Sequence, residues 1–137
     1  MVDTTIAIIS PGAMGSAIAK RLTTSNLTVL TTLTHRSEAT RLRARDAGMQ
    51  DVTLSDIARR ARWVLSILPP SSALAFAQQF RDEYMALQDG EREQARSEKI
   101  AFVDCNAVNP ETVKKIGAVF QGTPIIFIDA AIIGFPP

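Results

Sequence analysis

Six consecutive residues near the start of the chain, Ser10-Pro11-Gly12-Ala13-Met14-Gly15, have the composition of a turn that brings backbone against an anion. They fit the pattern G-x-G-x-x-G at its second and third glycines, with Ser10 at the first. In such a turn Gly12 lets the backbone approach a pyrophosphate, and Gly15 lets the following helix pack closely on the strand before it. The amides that open the helix then hold the anion at the positive end of its dipole. The chemistry implied is dinucleotide binding. Small residues also serve ordinary strand-to-helix turns, so the weight of the motif comes from its place after the first strand of a β-α-β unit.

A second segment lies about 20 residues beyond Gly15, where a site for NAD would place an Asp or Glu on the ribose hydroxyls. The chain has His35-Arg36-Ser37 there, and no carboxylate between Asp3 and Glu38. An Arg in this place can stack on the adenine and pair with a 2′-phosphate, assisted by Ser37 and His35. NADP is therefore expected in preference to NAD. Arg41, Arg43 and Arg45 read as a solvated helix face, since neighbouring segments carry acids and the net charge is only +1.

The elements that would position these residues alternate from end to end. Thr4 to Ile9 reads as a first strand, followed by a helix with small and apolar residues at helical spacing from Met14 to Leu22. Leu27 to Leu33 reads as a second strand, and Ser37 caps a helix from Glu38 to Ala47 that ends at Gly48. Val52 to Leu54 suggests a minor strand, with Ser55 or Asp56 opening a short helix. Trp63 to Leu68 forms a continuous apolar strand, with Trp63 in the core, stopped by Pro69-Pro70. Ser71 or Ser72 then caps a helix through Leu87, and a charged surface insertion runs from Asp89 to Lys99. Ile100 to Asp104 and Ile125 to Asp129 are two further strands around a helix that Pro110 opens. This order selects an α/β fold, a Rossmann-type doubly wound parallel sheet with helices on both faces, over residues 1–137 as one NAD(P)-binding domain.

Composition narrows the function classes. A chain of 137 residues, 46% hydrophobic and 21% charged, can bury roughly two-thirds of its unfolded surface as a single domain. It is neither a disordered chain nor a polyelectrolyte, which leaves no footprint for nucleic acid. The lone Cys105 cannot form an internal disulfide, and no Cys/His cluster has metal-ligand spacing. Cys105 reads as a packed thiol. No apolar run reaches the ~18 residues of a membrane span, and the first five residues lack a basic n-region, so a soluble, cytoplasmic protein is expected.

Taken in order, these segments resemble the N-terminal cofactor domain of the 6-phosphogluconate dehydrogenase and β-hydroxyacid dehydrogenase superfamily, which includes 3-hydroxyisobutyrate dehydrogenase-like enzymes. Ile8 to Gly15 resembles its glycine motif, and His35-Arg36-Ser37 its Asn-Arg-Thr segment for an NADP phosphate. Leu65 to Pro69 resembles the strand end beside the cofactor, which implies that Leu68 and Pro69 contact it. Asp104 to Pro110 resembles the Asp-x-Ser-Thr-x-x-Pro substrate segment, and Asp129 to Gly134 the later Asp-Ala-Pro-Val-Ser-Gly.

By that resemblance Asn106 contacts nicotinamide and substrate, and Gly134 contacts substrate. Asn106 and Ala107 replace the Ser-Thr pair, however, and Ile133-Gly134-Phe135 replaces Ser-Gly-Gly, so substrate identity does not carry over. Asn106 also suits a turn before the Pro110 helix.

The implied activity is hydride transfer between NADP and a small hydroxy acid or related carbonyl compound. An imine or ketone reductase, or a non-catalytic NADP-binding regulatory or interaction protein, would use the same domain. The superfamily's catalytic Lys comes from a helical second domain, which also builds the dimer and is expected to be absent from this chain. Lys114 and Lys115 do not match its position, so no catalytic residue is assigned. A small-molecule substrate, and a self-associated copy or the helical domain seated on Ile132, Ile133 and Phe135, are the expected partners.

Overall fold

The computed structural model describes residues 4–9, 13–33, 36–87, 99–106 and 109–131. Six strands form one sheet: β1 (Thr5–Ile9), β2 (Thr28–Thr31), β3 (Gln50–Asp51), β4 (Trp63–Ser66), β5 (Ala101–Asp104) and β6 (Ile126–Asp129). Between them lie α1 (Ala13–Thr24), α2 (Glu38–Asp46), α3 (Leu54–Arg60), α4 (Pro70–Met85) and α5 (Pro110–Val119). Every strand pair is parallel, in the spatial order β3-β2-β1-β4-β5-β6. β2 and β3 step outward to one side of β1, then α3 carries the chain back so that β4 joins its other side. This is the doubly wound Rossmann-type arrangement, with its reversal between β1 and β4.

Alternation along the strands assigns each side chain to a face. Ile6 and Ile8 of β1 pack with Val29, Ala19 of α1 and Ala47 after α2. Ala7, Ile9, Leu30, Val64 and Phe102 point the other way, into a larger core closed by α3, α4 and α5. There Phe102 meets Phe76, Phe80 and Phe120 at ring-centroid distances of 5.9, 5.6 and 4.7 Å, and Phe120 stacks on Phe127. Aromatic packing thus ties α4 to β5, α5 and β6.

Several boundaries differ from the sequence expectation for local reasons. The third strand is Gln50–Asp51 rather than Val52 to Leu54, because Thr53 caps α3 by accepting the Asp56 amide, which places Asp56 inside the first turn. Neither Ser71 nor Ser72 caps α4. Pro69 occupies the cap position and Pro70 the first helical one, where a missing N–H and a preset φ incur no penalty. The fourth strand stops at Ser66, and Trp63 is 36% exposed rather than core. It shares a face with Leu65, on the side where α1 packs over β1 and β2.

Candidate functional site

At the carboxyl ends of β1 and β4, where the strand order reverses, lies a cleft of about 500 Å³. Ile9 and Leu68 form its floor, Thr53 and Leu54 of the α3 start one wall, and Ser72, Phe76 and Gln79 of α4 the other. Thr32 and Arg36, from the segment that follows β2, close the remaining side. Apolar surface with a few polar groups and one guanidinium suits the adenine and ribose half of a dinucleotide. No carboxylate lines the cleft among the described residues.

The turn bearing Arg36 is held from below. Asp51 Oδ1 accepts the Leu33 amide at 3.0 Å, while Arg41 donates to the Leu33 carbonyl at 3.1 Å and the Arg36 carbonyl at 3.4 Å. Arg41, on the solvated face of α2 as expected, thus also clamps this turn. A contact 3.8 Å long between Arg41 and Asp51 joins the two halves of the clamp. Ser37 accepts the Thr40 amide at 3.2 Å as the N-cap of α2, leaving its hydroxyl and Arg36 beside the positive end of that helix.

A buried polar cluster lies across the end of β4. Asn106 Nδ2 donates to Asp104 Oδ1 at 2.7 Å and to Ser66 Oγ at 3.3 Å, while its Oδ1 accepts the Leu68 amide at 2.7 Å. Burial pushes the Asp104 carboxyl above its ordinary value, against hydrogen bonds from Asn106, and the Asp129 charge adds to the rise. Burial, with the Asp104 charge, pushes the neighbouring Cys105 thiol up to about 11, so Cys105 is a packed thiol without nucleophile character. The turn before α5 is closed by Asn109, which accepts the Thr112 amide at 2.8 Å, and not by Asn106.

Of the residues expected from sequence to bind cofactor, Arg36 and Leu68 meet in the cleft. Ser37 stands beside it as a cap, Pro69 is exposed at the start of α4, and Met14 and the buried Gly15 lie in the first turn of α1, which opens at Ala13. Ser10, Pro11, Gly12, His35 and the substrate-contact residue Gly134 lie outside the described residues, as do Ile132, Ile133 and Phe135. Sequence reasoning missed Thr32, Thr53, Ser72 and Gln79, which line the cleft. The N-cap Thr53 was the one with a legible signal, Thr three residues before Asp56. Among the described residues no group of His, Cys, Asp or Glu side chains could hold a metal ion, and no helix is long and apolar enough to cross a membrane.

A parallel sheet in this order, with a cleft at its reversal point, defines a Rossmann-type dinucleotide-binding domain. Residues 1–81 match the family model of the acetohydroxy acid isomeroreductase NADPH-binding domain, and the chain belongs to that family. Among solved structures, a conserved protein of unknown function, reported as similar to 3-hydroxyacid dehydrogenases, matches at 27% identity and a TM-score of 0.76. That match covers 96% of this chain and 44% of the other. A 3-hydroxyisobutyrate dehydrogenase from Mycobacterium tuberculosis matches at 16% identity and a TM-score of 0.71, covering 97% of this chain and 42% of that one. An imine reductase from Myxococcus stipitatus, solved with NADP+, matches at 21% identity and a TM-score of 0.67 over 96% of this chain and 42% of its own.

The last two likenesses show the fold alone, and the chain spans less than half the length of all three. No curated protein matches the sequence. The neighbour at 27% identity is reported as similar to 3-hydroxyacid dehydrogenases, whereas the matching family model is that of the isomeroreductase NADPH-binding domain. What the two have in common is an NAD(P)-binding domain of oxidoreductases.

Proposed function

We propose that this chain is the NADP-binding domain of a cytoplasmic oxidoreductase that transfers hydride between NADP and a small hydroxy acid or the related carbonyl compound. The observation that carries the reading is Arg36, set on a cleft at the sheet's reversal point that has no carboxylate among its described lining residues. The cleft fits the adenosine half of the cofactor. Arg36 would hold the 2′-phosphate, with Ser37 and the opening amides of α2 beside it, while Ile9, Leu68 and Phe76 exclude water from the adenine. The glycine segment before α1 would hold the pyrophosphate, leading the nicotinamide toward the ends of β4 and β5. When bound, the cofactor supplies or accepts the hydride. This chain's own part is to bind, orient and discriminate.

Titration of the 137-residue chain with NADPH and NADH tests the assignment. Arg36→Ala should weaken NADPH by about 1.5–3 kcal/mol, the range for hydrogen bonds to charged groups, and leave NADH nearly unchanged. Equal losses for the two cofactors would refute the phosphate role. A panel of acetohydroxy acids, β-hydroxy acids, aldehydes and cyclic imines, tried on the protein with any further domain it carries, separates hydroxy-acid chemistry from imine reduction. NADPH binding without turnover on any of them would favour a regulatory role.

A further inference from the structure

Asn106 lies where the sequence expectation has it touching nicotinamide or substrate, yet three of the four hydrogen bonds its amide can make are made within the protein. Both N–H donors are used, on Asp104 Oδ1 and Ser66 Oγ, and its oxygen accepts the Leu68 amide. Only 8% of the residue is exposed. Ile67 donates its amide to Ile9 on the β1 side, so the next amide, Leu68, points toward β5, past the last rung of the ladder. The Asn106 side chain supplies the acceptor that the backbone no longer provides there. Leu68 is also part of the cleft floor.

The carboxyl of Asp104 gives this arrangement its direction. An amide in place of Asp104 could present either an oxygen or an NH2 to Asn106, whereas a carboxylate offers acceptors only. It therefore turns the Asn106 NH2 toward β5 and leaves the carbonyl facing Leu68. Asp104 is 1% exposed, and among the described residues its Oδ2 has no hydrogen-bond partner. Such a cost, carried one hydrogen-bonded side chain away from the cleft residue Leu68, calls for a role. We propose that Asp104 and Asn106 form a latch that fixes the β4–α4 turn, and so are positioning residues for the dinucleotide, not groups that touch it. The cofactor half of this proposal rests on the reading that the cleft binds NADP(H).

The test is a substitution cycle read by NADPH affinity, thermal stability and hydrogen exchange of the Leu68 amide in the cofactor-free chain. Asn106→Asp sets carboxylate against carboxylate and should weaken NADPH at least tenfold and speed Leu68 exchange. Adding Asp104→Asn to Asn106→Asp restores one amide and one acid with the roles exchanged, and should recover both affinity and protection. Asn106→Ala removes the acceptor without adding charge, and should lose both if Asn106→Asp does not fold.

A folded double variant that binds no better than Asn106→Asp would mean that the Asn106 amide itself contacts the cofactor, and would overturn the latch. Unchanged Leu68 exchange in Asn106→Ala would do the same. If the unaltered chain binds neither NADPH nor NADH, the proposed function and the cofactor half of the latch fail together, while Leu68 exchange still decides the structural half.

Discussion

Asp104 and Asp56 are two carboxyls of one chain displaced in opposite directions. Arg59, by its hydrogen bond to the Asp56 carboxylate, holds that group below the usual range, with Thr53 assisting. Asp56 therefore contributes stability above the ordinary carboxylate value, near 4, that is lost as pH falls through its lowered one. Asp104 works the other way, because burial raises its folded value and the Asp129 charge adds to it. Its contribution is fully present below about pH 4 and is lost as pH rises through the raised folded value. The windows lie on opposite sides of pH 4. Melting temperatures of the unaltered chain and Asp104→Asn, taken from pH 4.5 to 7.5, should therefore converge on acidification, with the variant the less pH-dependent of the two. Parallel curves would show that Asp104 does not titrate in this range.

Among the described residues two glycines have left-handed backbone, and the two should not tolerate a side chain equally. Gly48 follows α2 with φ +82°, and a Cβ there would stand 3.0–3.1 Å from three atoms of Thr23 at the end of α1. Thr23 cannot readily swing aside, since its hydroxyl bonds the Ala47 carbonyl at 2.9 Å and the Lys20 carbonyl at 3.1 Å. Gly122 after α5 has φ +77°, with nothing among the described residues within 4 Å of its Cβ position. Gly122→Ala should carry only the backbone penalty, about 1 kcal/mol, and Gly48→Ala about 2–3 kcal/mol, as measured by denaturant unfolding. Equal losses would mean that the contact between α1 and α2 relaxes freely.

The whole sheet grades from a doubly paired centre to singly paired edges. β1 and β4 each hydrogen-bond to a strand on both sides, and Ala7, Ile8 and Val64 are fully buried. β3 has two residues, both exposed, and β6 carries Ile126 at 43% exposure. Amide exchange should therefore be slowest in β1 and β4 and fastest in β3 and β6. Exchange from β6 as slow as from β1 would indicate that its open edge is covered in solution. Ile9 at the end of β1 and Leu68 just after β4 also line the cleft, so the site stands on strands paired on both sides.

The alternation of strands and helices is a local pattern, written in adjacent residues, and it was legible without a structure. So were the caps at Ser37 and the start at Pro110, where one side chain or ring acts on its own turn. The cluster of Asp104, Asn106, Ser66 and Leu68 was not legible, because its partners are up to 40 residues apart and meet only when β4 and β5 pair in register. The exposure of Trp63 likewise depends on which strands the helices cover, and the Arg41 clamp on Asp51 arriving beside β2. Sequence named candidates to hold a dinucleotide, though not Thr32, Thr53, Ser72 or Gln79 of the cleft lining. Tertiary structure decided which of those candidates face the cleft and which, like Asn106, are spent inside the fold, because hydrogen-bonding capacity is finite and distant partners have first claim on it.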